Sequence, residues 1–390
     1  MSKERKQAVP AFIDLAAQRE QLGDSVERAI SAVLKHGQFI LGPEVVELER
    51  QLASFCGARH CITCANGTDA LLLALMAEGI GKGDAVFVPA FTFVATVEVA
   101  ILAGATPVFV DVRQDSFNLD VESLEPAIGE AKRRGLKPRC VIPVDLYGQP
   151  ADYKAIGEVA AAHGLLVVAD AAQSFGASRD GRKVGTLAPY TATSFYPSKP
   201  LGGYGDGGAV FTDDDDRAGR LRALRNHGKA PDQPDTEHVG MNSRLDSIQA
   251  AILIEKLRLF PGEIVARQER AERYAEGLGS VVKVPELMAG ATSVWAQYTI
   301  ITERRDELAK ACREAGVPTA IHYANPLNSL PPYRQVLAAP AGLRQAEWLA
   351  ERVISLPMHP YLSDETQDLI VGTVRRALTS GKAGVAHAAE

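Results

Sequence analysis

Residues 140–170, CVIPVDLYGQPADYKAIGEVAAAHGLLVVAD, decide the fold class. Two short runs rich in apolar residues, Cys140–Val144 and Leu165–Ala169, flank the stretch Tyr153–His163, whose spacing predicts a helix. A strand, a helix and a second strand in this order predict a parallel βαβ unit. The second run is apolar throughout, which is typical of a strand that is covered on both faces.

The same alternation extends outward from this unit, from about residue 60 to residue 210. We therefore expect an α/β fold with a mainly parallel sheet. The further predicted strands are His60–Cys64, Ala85–Pro89, Pro107–Val110, Ala192–Phe195 and Gly208–Phe211, and the further predicted helices are Asp69–Glu78, Val94–Ala103 and Val121–Arg134.

The sequence predicts a domain boundary after an amphipathic helix, Leu245–Phe260. Pro261 and Gly262 are expected to end this helix, because proline cannot continue the backbone hydrogen-bond pattern. A second helix is predicted from about Ile264 to Leu278, and the shorter strands and helices that follow it predict an α+β unit. The predicted division is a large domain at 1–262, a small C-terminal domain at 263–380 and a disordered tail at 381–390.

Composition excludes several classes of protein. The 390 residues are 46% hydrophobic and 23% charged, which rules out a disordered or collagen-like chain. The net charge of −6 argues against a nucleic-acid partner. The N-terminus shows no apolar segment typical of a secretory signal, and no run is apolar enough to suggest a membrane span. The odd number of cysteines, five, indicates a reducing compartment, and we expect a cytoplasmic protein.

Cys61 and Cys64 form a CxxC motif, but the motif does not predict a metal or redox site. Both residues belong to a predicted strand, where residues three apart point to opposite faces. The sequence also lacks a second cysteine or histidine pair to complete a metal site. We therefore expect no metal.

Three features follow predicted strands, and ligands of open α/β sheets bind beyond the carboxyl ends of strands. Asp170 ends the strand LLVVA, Lys199 lies on a loop between two prolines, and Gly67-Thr68 begins a helix, where free N–H groups suit a phosphate. Taken singly, each has a plainer explanation: a helix cap, a solvated charge and an ordinary helix start. Together they are what pyridoxal phosphate requires, namely a lysine for the Schiff base, a carboxylate for the pyridine nitrogen and a phosphate cradle.

At these residues the sequence resembles the DegT/DnrJ/StrS family of pyridoxal-phosphate sugar aminotransferases. The similarity runs from GQFILGPEVVELE to SLPMHPYL and implies the aspartate-aminotransferase type of fold, fold type I. That fold has a mostly parallel seven-stranded sheet and a smaller C-terminal α+β domain, in a homodimer with its active site at the subunit interface. The matching stretches are NGTDALLLAL, VPAFTFVATVEVAILAGATPVFVDV, PVDLYGQPADY, VVADAAQSFGA, SFYPSKPLGGYGDGGAVFTDD, LRNHG and GMNSRLDSIQAAIL.

The resemblance implies a role for each matching residue. Lys199 would be the Schiff-base lysine and proton shuttle, with pyridoxamine phosphate as the intermediate form of the cofactor, and Asp170 would pair with the pyridine nitrogen. The remaining implied cofactor contacts are Gln173 at the ring hydroxyl, Gly67, Thr68 and Ser194 at the phosphate, Asn242 at the phosphate across the dimer interface, and Phe93 stacked on the ring. Phe93 is preferred over Phe91, and core packing is the alternative for both. The glycines after Lys199 are expected to let the chain turn sharply.

The implied reaction moves an amino group from L-glutamate to a keto sugar linked to a nucleotide diphosphate. The details of the sequence most resemble the subgroup that aminates C3 of UDP-2-acetamido-2-deoxy-3-oxo-glucuronate. Arg225 is the candidate for the extra carboxylate of that sugar, with a helix-end charge as the alternative, and His322 and Tyr323 are expected near the substrate. Another keto sugar remains open as the substrate, as does a regulator that binds the cofactor without catalysis. No membrane partner is expected.

Overall fold

The computed structural model describes residues 10–229 and 235–379. These residues form twelve α-helices, twelve strands and three short 3-10 helices, at Leu146–Gly148, Leu327–Ser329 and Pro331–Tyr333. The helices are α1 (Leu15–Leu22), α2 (Ser25–His36), α3 (Pro43–Cys56), α4 (Gly67–Ala77), α5 (Ala95–Leu102), α6 (Val121–Arg133), α7 (Tyr153–His163), α8 (Asp215–Leu224), α9 (Ser247–Leu278), α10 (Arg305–Glu314), α11 (Arg344–Arg352) and α12 (Asp364–Thr379). The strands are β1 (His60–Cys64), β2 (Asp84–Pro89), β3 (Thr106–Val110), β4 (Lys137–Val141), β5 (Leu166–Asp170), β6 (Ser178–Arg179), β7 (Arg182–Lys183), β8 (Tyr190–Ser194), β9 (Gly208–Thr212), β10 (Tyr298–Ile301), β11 (Leu337–Ala338) and β12 (Val353–Leu356).

A single large sheet organises the first two thirds of the chain. Its strand order is β1-β9-β8-β5-β4-β2-β3-β11, and β9 alone runs antiparallel to its two neighbours. The predicted α/β class with a mostly parallel sheet is therefore confirmed. The expected count of seven strands is too low by one, because the two-residue strand β11, from the C-terminal part of the chain, pairs with the edge strand β3.

Both faces of the sheet are covered, and β2 shows how. All six of its residues are buried. Val86 and Val88 belong to a core with residues of α4 and α5, whereas Ala85 and Phe87 belong to a second core with residues of α6 and α7. Successive side chains of a strand point to opposite faces, so an apolar run without alternation is what two covered faces require.

Cys61 and Cys64 lie on opposite faces of β1. Cys61 packs with residues of α3 and α9, whereas Cys64 packs in the core that includes α4. The prediction that the two sulfurs point apart is confirmed.

The remaining elements include a two-stranded antiparallel sheet of β10 and β12, which packs with α10, α12 and the second half of α9. No helix within residues 10–229 and 235–379 is both long and apolar enough to cross a membrane.

The prediction that Pro261 and Gly262 end a helix is wrong. α9 is one helix of 32 residues that contains Pro261. Both residues are exposed, and the carbonyl that loses its donor at the proline is that of Leu257, one turn earlier. The division at residue 262 stays a prediction. The predicted tail, 381–390, lies outside the described residues.

Replacing Pro261 with alanine should stabilise the protein, because the new N–H restores the helical hydrogen bond to the Leu257 carbonyl. We expect the free energy of unfolding to rise by up to about 3 kcal/mol. Urea denaturation measures the change. Gly262→Ala is the control: its new methyl group meets no atom within 4 Å, and we expect a gain of only about 1 kcal/mol. A loss of stability in the Pro261 variant would mean that the fold needs the proline.

Candidate active site

Three strand ends meet at one edge of the large sheet. Cys64 and Ser194 both pair with Gly208, and Asp170 pairs with Ala192, so the carboxyl ends of β1, β8 and β5 lie at the same edge, with the start of β9 between β1 and β8. The loops that follow these strands surround a cavity of about 740 Å³. Sequence-predicted site residues that line this cavity are Gly67, Thr68, Phe93, Asp170, Gln173, Ser194, Lys199, His322 and Tyr323.

The start of α4 forms one end of the cavity. The Asn66 side chain caps the helix by accepting a hydrogen bond from the Asp69 N–H at 2.8 Å. The N–H groups of Gly67 and Thr68 belong to the first turn, where a helix has no acceptor of its own. A side chain at Gly67 would place its Cβ 2.7 Å from the Cβ of Ser194. Only glycine therefore lets the helix start approach Ser194, and the two together form a compact anion cradle.

Asp170 lies buried on the cavity wall. Its carboxylate accepts a hydrogen bond from the Thr96 hydroxyl at 2.9 Å and another from the Ala172 N–H at 3.2 Å. Burial raises the pKa of this carboxyl, and the two donors and the Lys199 amine act in the opposite direction. The carboxylate is thus fixed in place, and a cationic ring nitrogen would favour its charged form.

Lys199 is half-buried and lies on the loop after β8. Its N–H donates to the carbonyl of Tyr196 at 2.8 Å, which closes a tight turn. Burial lowers the pKa of the Lys199 amine, and the Asp170 carboxylate partly opposes this shift. A larger share of the amine is therefore neutral near pH 7 than in an exposed lysine, and the neutral form is the nucleophile.

Phe91 and Phe93 occupy different environments. Phe91 is 1% exposed and belongs to the core, whereas Phe93 is 54% exposed and lines the cavity. The Phe93 ring lies 6.4 Å from that of Tyr323, centre to centre. Of the two, Phe93 is therefore the one that can face a ligand.

Gln173 is held by the backbone of a neighbouring loop. Its Oε1 accepts the Tyr147 N–H at 2.7 Å. The next residue, Ser174, donates to the fully buried carboxylate of Asp145 at 2.6 Å, which also accepts the Tyr153 hydroxyl at 2.7 Å. Burial raises the pKa of Asp145 to about 7. These bonds fix the loops after β4 and β5 against each other, so the position of Gln173 is well defined.

His322 reaches the cavity from the C-terminal part of the chain. Its Nδ1 lies 3.3 Å from the hydroxyl of Ser355, which in turn lies 2.9 Å from that of Thr299. Burial and the nearby Lys199 amine lower the pKa of His322. The ring is therefore mainly neutral near pH 7 and can exchange hydrogen bonds with a ligand.

Arg225 does not line the cavity, contrary to its predicted role. The residue is 7% exposed, and its guanidinium forms an ion pair with Glu49. It also donates to the Thr63 carbonyl at 2.8 Å. A substrate carboxylate would have to displace the Glu49 carboxylate to reach it. The helix-end alternative is nearer to what the structure shows, because Arg225 caps the end of α8 and its charge is paired within the protein.

Asn242 does not line the cavity either. The residue is exposed and forms a β-bridge with Asn226. Its predicted contact lies across a dimer interface, and so this role stays a prediction.

Thr96 and Tyr196 are among the residues at the site that the sequence reasoning missed. The Thr96 hydroxyl supports Asp170, and the exposed side chain of Tyr196 lines the cavity. The sequence did contain a signal for Thr96, because Thr92 and Thr96 are polar residues four positions apart in an otherwise apolar run. In the structure their hydroxyls lie 3.4 Å apart.

The residues of the cavity fit pyridoxal phosphate. The cradle of Gly67, Thr68 and Ser194 suits a phosphate, and Asp170 suits a ring nitrogen. Lys199 offers an amine of lowered pKa, and Phe93 offers a free aromatic face. The cavity volume of about 740 Å³ is within the range usual for small-molecule sites.

Known proteins show the same fold and sequence pattern. A UDP-2-acetamido-2-deoxy-3-oxo-D-glucuronate aminotransferase from Pseudomonas aeruginosa is 47% identical over 92% of this chain and 98% of its own length. The crystal structure of a DegT DnrJ EryC1 StrS aminotransferase from Brucella abortus is 51% identical, with a TM-score of 0.93 over 95% of this chain and 99% of that one. NtdA from Bacillus subtilis, solved with bound cofactor PMP, is 27% identical, with a TM-score of 0.84 over 94% of this chain and 83% of that one.

The sequence profile of the DegT/DnrJ/EryC1/StrS aminotransferase family matches residues 20–375. This range contains every sequence-predicted site residue. The chain therefore belongs to the DegT/DnrJ/EryC1/StrS aminotransferase family and is a pyridoxal-phosphate-dependent aminotransferase.

Proposed function

We propose that the enzyme transfers the amino group of L-glutamate to C3 of UDP-2-acetamido-2-deoxy-3-oxo-glucuronate. The observation that carries the proposal is the cavity in which Lys199, Asp170 and the Gly67–Ser194 cradle meet. The identity of 47% to the Pseudomonas aeruginosa enzyme supports the choice of sugar.

Each residue of the site has a separate role in the proposed reaction. The cofactor, when bound, supplies an electron sink that stabilises negative charge on the reacting carbon. Lys199 Nζ holds the cofactor between turnovers and moves the proton at the reacting carbon. The Asp170 carboxylate keeps the ring nitrogen protonated, and Thr96 keeps that carboxylate oriented. Phe93 and Gln173 fix the plane and the edge of the ring.

We further propose a homodimer with the active site at the subunit interface. Asn242 is exposed on a β-bridged segment, and Ser243 beside it accepts a hydrogen bond from the Ala65 N–H at 3.2 Å. That bond connects the segment to the loop that leads into the phosphate cradle. In the proposed dimer, Asn242 contacts the phosphate of the partner subunit. We place the enzyme in the cytoplasm, which the five free, buried cysteines support.

A neutral 3-keto sugar is the second candidate substrate. The cavity wall in the described part of the chain contains no arginine, and Arg225 is committed to Glu49. A sugar carboxylate would then have to be bound by His322 or by the partner subunit.

An amino-transfer assay with glutamate separates the two candidates. We expect turnover with the UDP-3-keto uronate, and NMR should place the new amine at C3. Turnover with its neutral counterpart should be at least about tenfold lower, because one charge-assisted hydrogen bond is lost. The control panel contains UDP- and dTDP-linked 4-keto sugars. Preference for the neutral 3-keto sugar would support the second candidate, and amination at C4 would contradict both.

Lys199→Ala should abolish covalent attachment of the cofactor. In the wild-type enzyme loaded with pyridoxal phosphate, borohydride reduction followed by peptide mass mapping should place the label on Lys199 alone. Lys154→Ala is the matched control, since Lys154 is an exposed lysine on α7. In this variant the label on Lys199 should be unchanged. A label on another lysine, or turnover retained in the Lys199 variant, would refute the assignment.

Thr96→Val should weaken cofactor binding, because it removes a hydroxyl that supports a buried carboxylate. We expect the Kd for pyridoxal phosphate to rise about tenfold, as for one hydrogen bond to a charged group. Fluorescence titration measures it. Thr191→Val is the matched control: Thr191 is buried in β8, and its hydroxyl has no hydrogen-bond partner in the described part of the chain. Equal Kd values for the two variants would remove the role of Thr96.

A further inference from the structure

The glycine-rich run after Lys199 bends at Tyr204 and Gly205, but it does so without left-handed backbone angles. It contains five glycines, at positions 202, 203, 205, 207 and 208, and none of them has a positive φ. Other residues could adopt these backbone angles. The reason for glycine here is the space that a side chain would need.

Two of these glycines enclose a side chain of α9. A Cβ at Gly203 would lie 2.9 Å from Oε1 of Gln249, and a Cβ at Gly205 would lie 2.9 Å from its Nε2. Between them, the N–H of Tyr204 donates to Gln249 Oε1 at 2.9 Å. The amide of Gln249 therefore packs directly against the backbone of residues 203–205.

A second residue of α9 contacts the same segment. Lys256 follows Gln249 by seven residues, two turns along one face of the helix. Its ammonium lies 4.6 Å from the centre of the Tyr204 ring. Lys256 is 1% exposed, and its ammonium has no hydrogen-bond partner among the described residues. The ring therefore contacts this charge, on which the Glu263 carboxylate also acts.

Residues 203–205, which Gln249 and Lys256 hold against α9, are bonded in turn to the residues around Lys199. The N–H groups of Gly203 and Lys199 donate to the carbonyls of Phe195 and Tyr196, at 2.7 and 2.8 Å. A Cβ at Gly202 would lie 2.5 Å from the carbonyl oxygen of Pro197. With contacts this close on both sides, a shift of residues 203–205 moves the turn 196–199.

We propose that Gln249 is a positioning residue that sets the place of the Lys199 amine by anchoring residues 203–205 to α9. The inference deepens the proposed function and rests on the role given there to Lys199. The first step, the anchoring, is a property of the loop itself.

Hydrogen exchange of the full-length protein, with and without pyridoxal phosphate, tests the anchoring. Gln249→Leu removes the acceptor of the Tyr204 N–H, and we expect the amides of residues 196–207 to exchange about tenfold faster, as for one lost hydrogen bond. Gln249→Glu keeps an acceptor oxygen and should restore most of the protection. Gln51→Leu is the matched control, because the amide of Gln51 bonds Glu47 on the same helix, far from this loop in the chain.

Kinetics test the effect on Lys199. In Gln249→Leu we expect kcat to fall about tenfold or more, since misplacing a reacting group by about 1 Å can cost a hundredfold, with KM for glutamate within about twofold of the wild-type value. Unchanged exchange at 196–207, or faster exchange spread evenly over the chain, would overturn the proposal. Faster exchange there with unchanged kcat would also overturn it, because the anchor would then not position the amine.

A double-mutant cycle shows whether the glycines act through Gln249. The new methyl group of Gly203→Ala should displace the Gln249 amide from the backbone of residues 203–205. The double variant Gly203→Ala with Gln249→Ala should therefore lose no more kcat than Gln249→Ala alone. Losses that simply multiply would contradict the proposal. The exchange measured without cofactor also separates this inference from the proposed function. If borohydride labelling does not find Lys199, the proposed function fails, and the exchange data still decide whether Gln249 anchors the loop.

Discussion

The common direction of β1, β5 and β8 is the constraint on which the site depends. Parallel strands end at the same edge of a sheet, so the residues after Cys64, Asp170 and Ser194 meet without a long connection. The antiparallel strand β9 fills the gap between β1 and β8. It begins at Gly208, where a Cβ would lie 2.4 Å from the carbonyl oxygen of Asn66. The strand that ends the lysine loop therefore rests against the residue that caps the phosphate helix, and neither can move alone.

Electrostatics at this edge favour a charged ligand. Burial moves the pKa of Asp170 upward and that of Lys199 downward, so each group on its own is displaced towards its neutral form. Taking opposite charges out of water is costly unless further polar contacts offset the cost. Thr96 supplies one such contact to Asp170. A protonated ring nitrogen would supply the strongest polar contact to Asp170. This explains why a carboxylate lies at the end of an otherwise apolar strand.

Local pattern was enough to predict most of the elements and the three strand-end features of the site, because periodicity and strand ends are visible in short windows of sequence. What the sequence did not show depends on contacts between distant residues. Arg225 suggested a substrate cation until the structure paired it with Glu49, which lies 176 residues away. Strand β11 has only two residues and forms because β3 offers a free edge. Pro261 lies inside a helix that contacts distant parts of the chain on both sides of it, and such contacts cannot be read from a proline and a glycine alone.

The unbroken helix α9 gives the cavity a common support. Near its start, Gln249 contacts the loop of Lys199. Further along, Arg267 donates to the carbonyls of Trp295 and Met358, and the Tyr274 hydroxyl donates to that of Pro357. Pro357 directly follows β12, whose Ser355 lies beside His322. One continuous helix, which runs through Pro261, thus contacts both the lysine loop and the end of β12, which lies beside His322. Because both sides of the site are attached to α9, the distance between them depends on this helix as well as on the loops themselves.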